Sequence, residues 1–149
     1  MTGEEAKMQT EQTKTVPSFG YDILREDVLR AILGKHEEDI LYWAGKDLAR
    51  KYILNNEFAI AEFFIKAGWG LLTLEKEKKD ERLYKISGNA ELLRTKTRCF
   101  RLEAGFLAEQ HEQLCGFLTE CYCEVDMKDQ VVYLTIRTDF KEPVAKKPI

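Results

Sequence analysis

Two cysteines one residue apart, Cys121-Tyr122-Cys123, and the two histidines, His36 and His111, are the side chains whose chemistry would be most telling. On a strand, Cys121 and Cys123 put their thiols on one face, which suits a metal only if a third and a fourth ligand converge there. The paired C-x-x-C knuckles of structural zinc sites are absent from the sequence. Buried thiols acting as small apolar side chains are therefore expected, with Cys99 and Cys115 as ordinary core or interface residues. His111 stands in Glu109-Gln110-His111-Glu112-Gln113, on the polar face of a helix, and reads as a solvated histidine rather than a base. His36 falls at a helix N-terminus and reads as equally bland. Asp39, Asp47, Glu57 and Glu62 read as solvated helix faces, because no spacing fixes two of them at the separation acid/base chemistry needs. The sequence has no phosphate-binding glycine loop, no serine elbow and no zincin motif. No catalytic residue, metal ligand or cofactor is assigned, and the chain leans away from an enzyme.

The elements that would position these residues belong to a chain of 149 residues, long enough for one continuous core without staples. A net charge of −3 with cations and anions interleaved offers no basic field for a phosphate backbone, so nucleic acid is not an expected partner. Arg94-Thr95-Lys96-Thr97-Arg98 reads as the solvent face of a short strand or loop. No apolar run reaches the length of a membrane span and the N-terminus does not resemble a secretory signal, so a cytoplasmic protein with reduced thiols is expected.

The chain changes character between Phe63 and Leu74: helical spacing of apolar residues precedes Gly68-Trp69-Gly70, and strand spacing follows it. Residues 1–17 read as a disordered tail, 18–140 as a single domain, and 141–149 as a flexible tail. Helices are expected from about Tyr21 to Leu33, with Gly34 at its end, and from Glu37 to about Leu54. The second should bury Ile40, Ala44, Leu48 and Tyr52, widened by Leu41 and Trp43. Gly45 inside it costs about 1 kcal/mol in propensity, which marks close approach of another backbone.

A third helix, Glu57 to Ala67, is apolar on nearly every side and should lie at the centre of the domain. A hairpin follows, with strands from Leu71 to about Lys78 and from Arg82 to about Ser87. Ala90 to Thr97 remains open between loop, helical turn and edge strand. A fourth helix from about Leu102 to Phe117 carries Ala104, Gly105 and Ala108, small residues that admit a neighbouring helix. A last hairpin should turn Phe117, Thr119, Cys121, Cys123, Val125 and Met127 one way, with Val132, Leu134 and Ile136 resuming the inward face after the turn. The order predicts an α+β fold with helices packed on one face of a roughly four-stranded antiparallel sheet.

Three stretches carry a resemblance: Ile40-Leu41-Tyr42-Trp43-Ala44-Gly45-Lys46-Asp47-Leu48-Ala49, Ala67-Gly68-Trp69-Gly70, and Cys99-Phe100 with Ala104-Gly105-Phe106-Leu107-Ala108. They resemble the small-molecule-binding domain named for 4-vinyl reductase, which shares its fold with a trafficking-complex subunit family and with haem-based nitric oxide sensors. More closely, about Phe19 to Phe140 is similar to the YslB-like family of uncharacterised proteins from low-GC Gram-positive bacteria. The resemblance implies a frequently dimeric fold, with an apolar cavity in some members. It carries over no chemistry. Cys121 and Cys123 share one strand instead of facing each other across the hairpin, no haem-ligating histidine is evident, and no cysteine matches an acylation site.

Trp43, Phe64, Trp69 and Phe106 fall within or beside these stretches and are the candidates for lining an apolar pocket, unless they are simply core. Two functions follow: a non-enzymatic module holding a small apolar ligand, or a homodimeric adaptor with a filled core.

Overall fold

The computed structural model describes residues 17–88 and 98–145. The expected N-terminal tail up to residue 16, the open segment 90–97 with most of the basic cluster, and the last four residues lie outside them.

The described chain falls into two units divided after Gly34, whose φ of +56° suits a residue without a side chain. The first holds α1 (Ser18–Ile23), a π-helical turn (Leu24–Val28) and α2 (Leu29–Leu33). It starts three residues earlier than expected, since Pro17 needs no N–H at a helix start and its carbonyl accepts from the Tyr21 amide at 3.2 Å. Leu24, Val28 and Ile32 are all exposed.

The second unit begins at Lys35, within a 3₁₀ turn (Gly34–His36) that runs into α3 (Glu37–Lys51), whose first turn carries Glu37, Glu38 and Asp39 and whose last carries Arg50 and Lys51, complementing the helix dipole. Next come α4 (Glu57–Lys66), β1 (Leu71–Glu77), β2 (Glu81–Ser87), α5 (Arg101–Cys115), β3 (Phe117–Asp126) and β4 (Val131–Pro143). The sheet order is β1-β2-β4-β3, antiparallel throughout. Val132, Leu134 and Ile136 are buried, as are Ile86, Thr119 and Cys121 beside them, while Phe117, Cys123, Val125 and Met127 of the expected inward set are half-buried. Strand β4 continues three residues past the expected limit at Phe140.

Two expectations about burial are corrected. In α3 the buried positions are Glu37, Leu41, Gly45 and Ala49, a ridge one step round from the expected Ile40, Ala44, Leu48 and Tyr52. The seam is set by close approach to α5, which Gly45 and Ala49 permit and the bulkier stripe would block. The Trp43 ring, on the outer side, is 75% exposed.

The second correction concerns the centre of the unit. Helix α4 buries only Ile60 and Phe64, while Phe58 and Ile65 are 73% and 60% exposed. The central helix is α5, packed between α3 and the sheet, with every residue from Glu103 to Glu112 buried. Polar side chains are tolerated there because they close backbone groups that loops leave open. Gln110 donates to the Tyr52 carbonyl at 2.6 Å and accepts from the Leu54 amide at 3.3 Å. Glu112 accepts from the Thr119 amide at 3.2 Å, and Glu109 pairs with Arg50 at 2.7 Å.

Tyr42 ties α3 to β3. Its hydroxyl donates to Glu120 at 2.5 Å and accepts from the Cys121 amide at 3.1 Å, while the Arg101 guanidinium lies 4.2 Å from the ring centroid. Tyr42→Phe should cost on the order of 2 kcal/mol in denaturant unfolding, since it orphans a strand amide and a carboxylate contact. An unchanged midpoint would show that water replaces the hydroxyl.

Candidate functional site

The joint around Trp69 is built from a helix stop. Gly68 and Gly70 have φ of +75° and +119°, and the amides of Gly68 and Trp69 return to the carbonyls of Ile65 and Phe64 at 3.0 and 2.8 Å. This is a Schellman ending, whose accompanying apolar contact is made by the rings of Phe64 and Trp69 at 5.0 Å. Phe106 of α5 meets both, 5.2 Å from Trp69 and 6.0 Å from Phe64, and Phe63 stacks on Phe106 at 4.5 Å. Three of the four candidate pocket residues, Phe64, Trp69 and Phe106, are thus brought together as interlocked, buried rings. Trp43 is not brought to them.

A cleft of about 230 Å³ sits between the C-terminal end of α5, the β1–β2 turn and β4. Its lining includes Glu57, Glu77 and Arg82 on one side, His111 and Cys115 from α5, and an apolar edge of Leu114, Ile136 and Phe140. None of the four aromatic candidates lines it.

The expectation that His111 is solvated is overturned: it is 6% exposed and its Nε2 lies 3.0 Å from the Tyr84 hydroxyl. Tyr84 reaches it because β2 turns Arg82, Tyr84 and Ile86 toward the helices. Burial, then the neighbouring Arg82 charge, lower the His111 pKa to about 4. Burial, then the Glu57 charge, push the Tyr84 phenol up to about 12. Arg82 is held by Glu57 and by Glu77, the latter at 3.0 Å. The site is a neutral imidazole and a neutral phenol below a charged rim.

A stability cost follows. The unfolded chain protonates His111 near 6.5 and the folded chain only near 4, so the unfolded state binds more protons between these values. Stability contributed by the neutral ring is present above pH 6.5 and should fall by about 3 kcal/mol by pH 4. His111→Gln should lack this part of the acid sensitivity in denaturant titrations across that range. An identical pH profile would place the sensitivity in other groups.

The thiols do not form a centre. Burial pushes Cys99 up to about 11 and raises Cys121 and Cys123, so all three are poor nucleophiles at neutral pH. Cys115, expected in a core or interface, is exposed, because Gly116 ends α5 at once with φ +81°. Its sulfur lies 3.6 Å from the Phe117 carbonyl and 3.7 Å from the Thr119 hydroxyl, with no bond to His111 four residues before it. No group of three or more metal-ligating side chains converges among the described residues, and no described helix is long and apolar enough to cross a membrane.

The cleft escaped sequence reasoning because the polar neighbours of His111 disguised a buried helix. The available signal was the small-residue face of Ala104, Gly105 and Ala108. If that face meets α3, the opposite face must meet the sheet.

Comparison with known proteins places this geometry. The chain is 37% identical over 143 residues to the uncharacterized protein YslB of Bacillus subtilis (strain 168), covering 94% of this chain and 97% of that protein. Its fold is similar to that of a vinyl-4-reductase family protein from Methanocaldococcus jannaschii, with a TM-score of 0.65 at 12% identity over 87% of this chain and 85% of the other. At that identity the likeness is one of fold alone. Residues 18–137 match the family described as protein of unknown function (DUF2507), and to that family the chain belongs.

Proposed function

We propose that the protein is a non-enzymatic binding module whose small-molecule ligand occupies the cleft over His111. The observation that carries this reading is a buried, neutral His111, bonded to Tyr84, lining a cleft with one charged and one apolar side. A ligand at the Trp69 joint would instead have to part rings already in contact. Cys115, the nearest nucleophile by sequence, turns to carbonyl oxygens rather than to the imidazole, which supports binding without catalysis. The four free thiols fit a reducing compartment, and we place the protein in the cytoplasm. The vinyl-4-reductase name of the fold relative is compatible with a small-molecule ligand.

A second reading rests on α4. Phe58, Ala61 and Ile65 recur at helical spacing on its outer side, and Phe58 and Ile65 are bare. A second copy of this chain covering that stripe would make the protein a homodimeric adaptor.

Native mass spectrometry of the protein purified gently from its own cells, compared with its denatured mass, separates the two. An adduct lost on denaturation is expected. A clean dimer with no adduct would overturn the ligand reading in favour of the adaptor.

A further inference from the structure

Helix α4 packs on β1, the outermost strand of the sheet. Its Phe63 ring stacks on Phe106 of the central helix α5. At about 100° per residue, Phe58 and Ile65 stand roughly 140° and 160° round the helix from Phe63, so they point away from α5 and past the free side of the strand. Both are bare, at 73% and 60% exposure. Leu74, paired with Tyr84, lies on the helix side of β1 and Leu71 on the other side, and they are 40% and 49% exposed. An apolar band therefore runs along the open edge of the sheet.

The two halves of that edge differ. Glu75, Lys76 and Glu77 fill the second half, where the pairing with β2 also slips between Leu74 and Lys76. Charges and a bulge are the devices that keep a strand edge from pairing. Leu71 to Leu74 carry neither, and no described strand lies on their outer side. Their outward N–H and C=O groups can take a further strand. The four large side chains bare on the order of 400 Å² of apolar surface per copy, the size of patch that marks an interaction site. With the strand edge added, the contact approaches the ~800 Å² per partner of a stable interface.

Resting on the second reading above, we infer that two copies join edge to edge, their β1 strands antiparallel about a two-fold axis. One continuous sheet then spans the dimer, and the two α4 stripes pack across the joint. An extended peptide added to the edge would leave the α4 stripe bare, whereas a second copy brings its own α4 to cover it. The register places Leu71 of each copy opposite Leu74 of the other. Glu75 then falls opposite Gly70, and like charges do not meet. A register centred on Leu74 would instead set Lys76 and Glu77 against Leu72 and Leu71.

Sedimentation velocity and amide hydrogen exchange of the full chain, from low to high micromolar concentration, test this. A dimer is expected, with the amides of Leu71 to Leu74 gaining protection as it forms. Leu71→Lys with Leu74→Lys should weaken it at least about a hundredfold, since charges of one sign enter the joint from both copies. Where that double variant melts early, Ile65→Lys alone should show the loss, because Ile65 is exposed in the single chain. Trp43→Lys, at an equally bare position on α3, should leave the dimer unchanged.

A wild-type chain that stays monomeric would overturn both this dimer and the adaptor reading. A dimer that resists Leu71→Lys with Leu74→Lys and gains no protection at these amides, yet breaks with Phe58→Lys, would overturn the shared sheet while leaving a second copy on α4. A dimer lost with Trp43→Lys and kept by the other variants would place the interface elsewhere and overturn both.

Discussion

Replacing Gly45 by Ala, or Gly105 by Ala, should destabilise the protein by on the order of 4 kcal/mol, against the gain of about 1 kcal/mol that Ala brings to an ordinary helix interior. The two glycines are where α3 and α5 press backbone against backbone. A Cβ on Gly45 would overlap the Leu102 carbonyl oxygen and stand 2.7 Å from the Phe106 amide nitrogen. One on Gly105 would overlap the Tyr42 carbonyl oxygen and stand 2.8 Å from its carbon. Both obstacles are main chain, so no rotamer change relieves them and the helices must separate. Separation would loosen the Tyr42–Glu120 bond and the Gln110 bridge to Tyr52 and Leu54 together. Denaturant unfolding of each variant checks this, and a stabilised Gly45→Ala protein would show that the helices do not touch at this seam. The double variant should cost less than the sum of the singles, because a seam opened by one methyl accommodates the other.

Phe106→Ala should cost about 4 kcal/mol, through the lost burial of the ring and the void left behind. Phe106 is fully buried and joins Phe63, Phe64 and Trp69, so its removal unsupports both α4 and the helix stop at Gly68. Trp69 fluorescence gives a local readout, and its emission should move to the red as water reaches the indole. A loss below about 1 kcal/mol would mean that these rings already border open space, as an apolar-ligand pocket at the joint requires.

Local chemistry made much of the fold legible. The glycines around Trp69 mark a helix stop, Asn56 caps α4 through its side chain to the Ala59 amide, and alternation in the last hairpin identifies its inner face. Gly45 marks close backbone approach, and its partner is Leu102. What periodicity could not rank was the helices against one another. The apolar α4 has the look of a centre yet leaves Phe58 and Ile65 bare, while the polar α5 is wholly enclosed. Its Glu109, Gln110, His111 and Glu112 side chains are met by Arg50, Tyr52, Leu54, Tyr84 and Thr119, some of them more than fifty residues away. That long-range pairing has no trace in a local window.

The same cause hid the cleft. His111 becomes a buried neutral imidazole only when β2 brings Tyr84 and Arg82 beside it. Of the aromatic candidates, Phe64, Trp69 and Phe106 could be grouped from sequence because the helix stop and the small-residue face converge on them. Trp43 could not be separated from them, since the seam of α3 is set by α5 and not by its own apolar stripe.

The most direct measurement is the native-mass adduct of the protein from its own cells, repeated with Leu114→Trp and with Trp43→Ala. Leu114 is a half-exposed helix residue on the cleft edge, where an indole would occupy the space without disturbing the core. A ligand in the cleft predicts that the adduct disappears with Leu114→Trp and survives Trp43→Ala. An adduct that survives Leu114→Trp would place the ligand elsewhere in the protein and contradict the role assigned to His111.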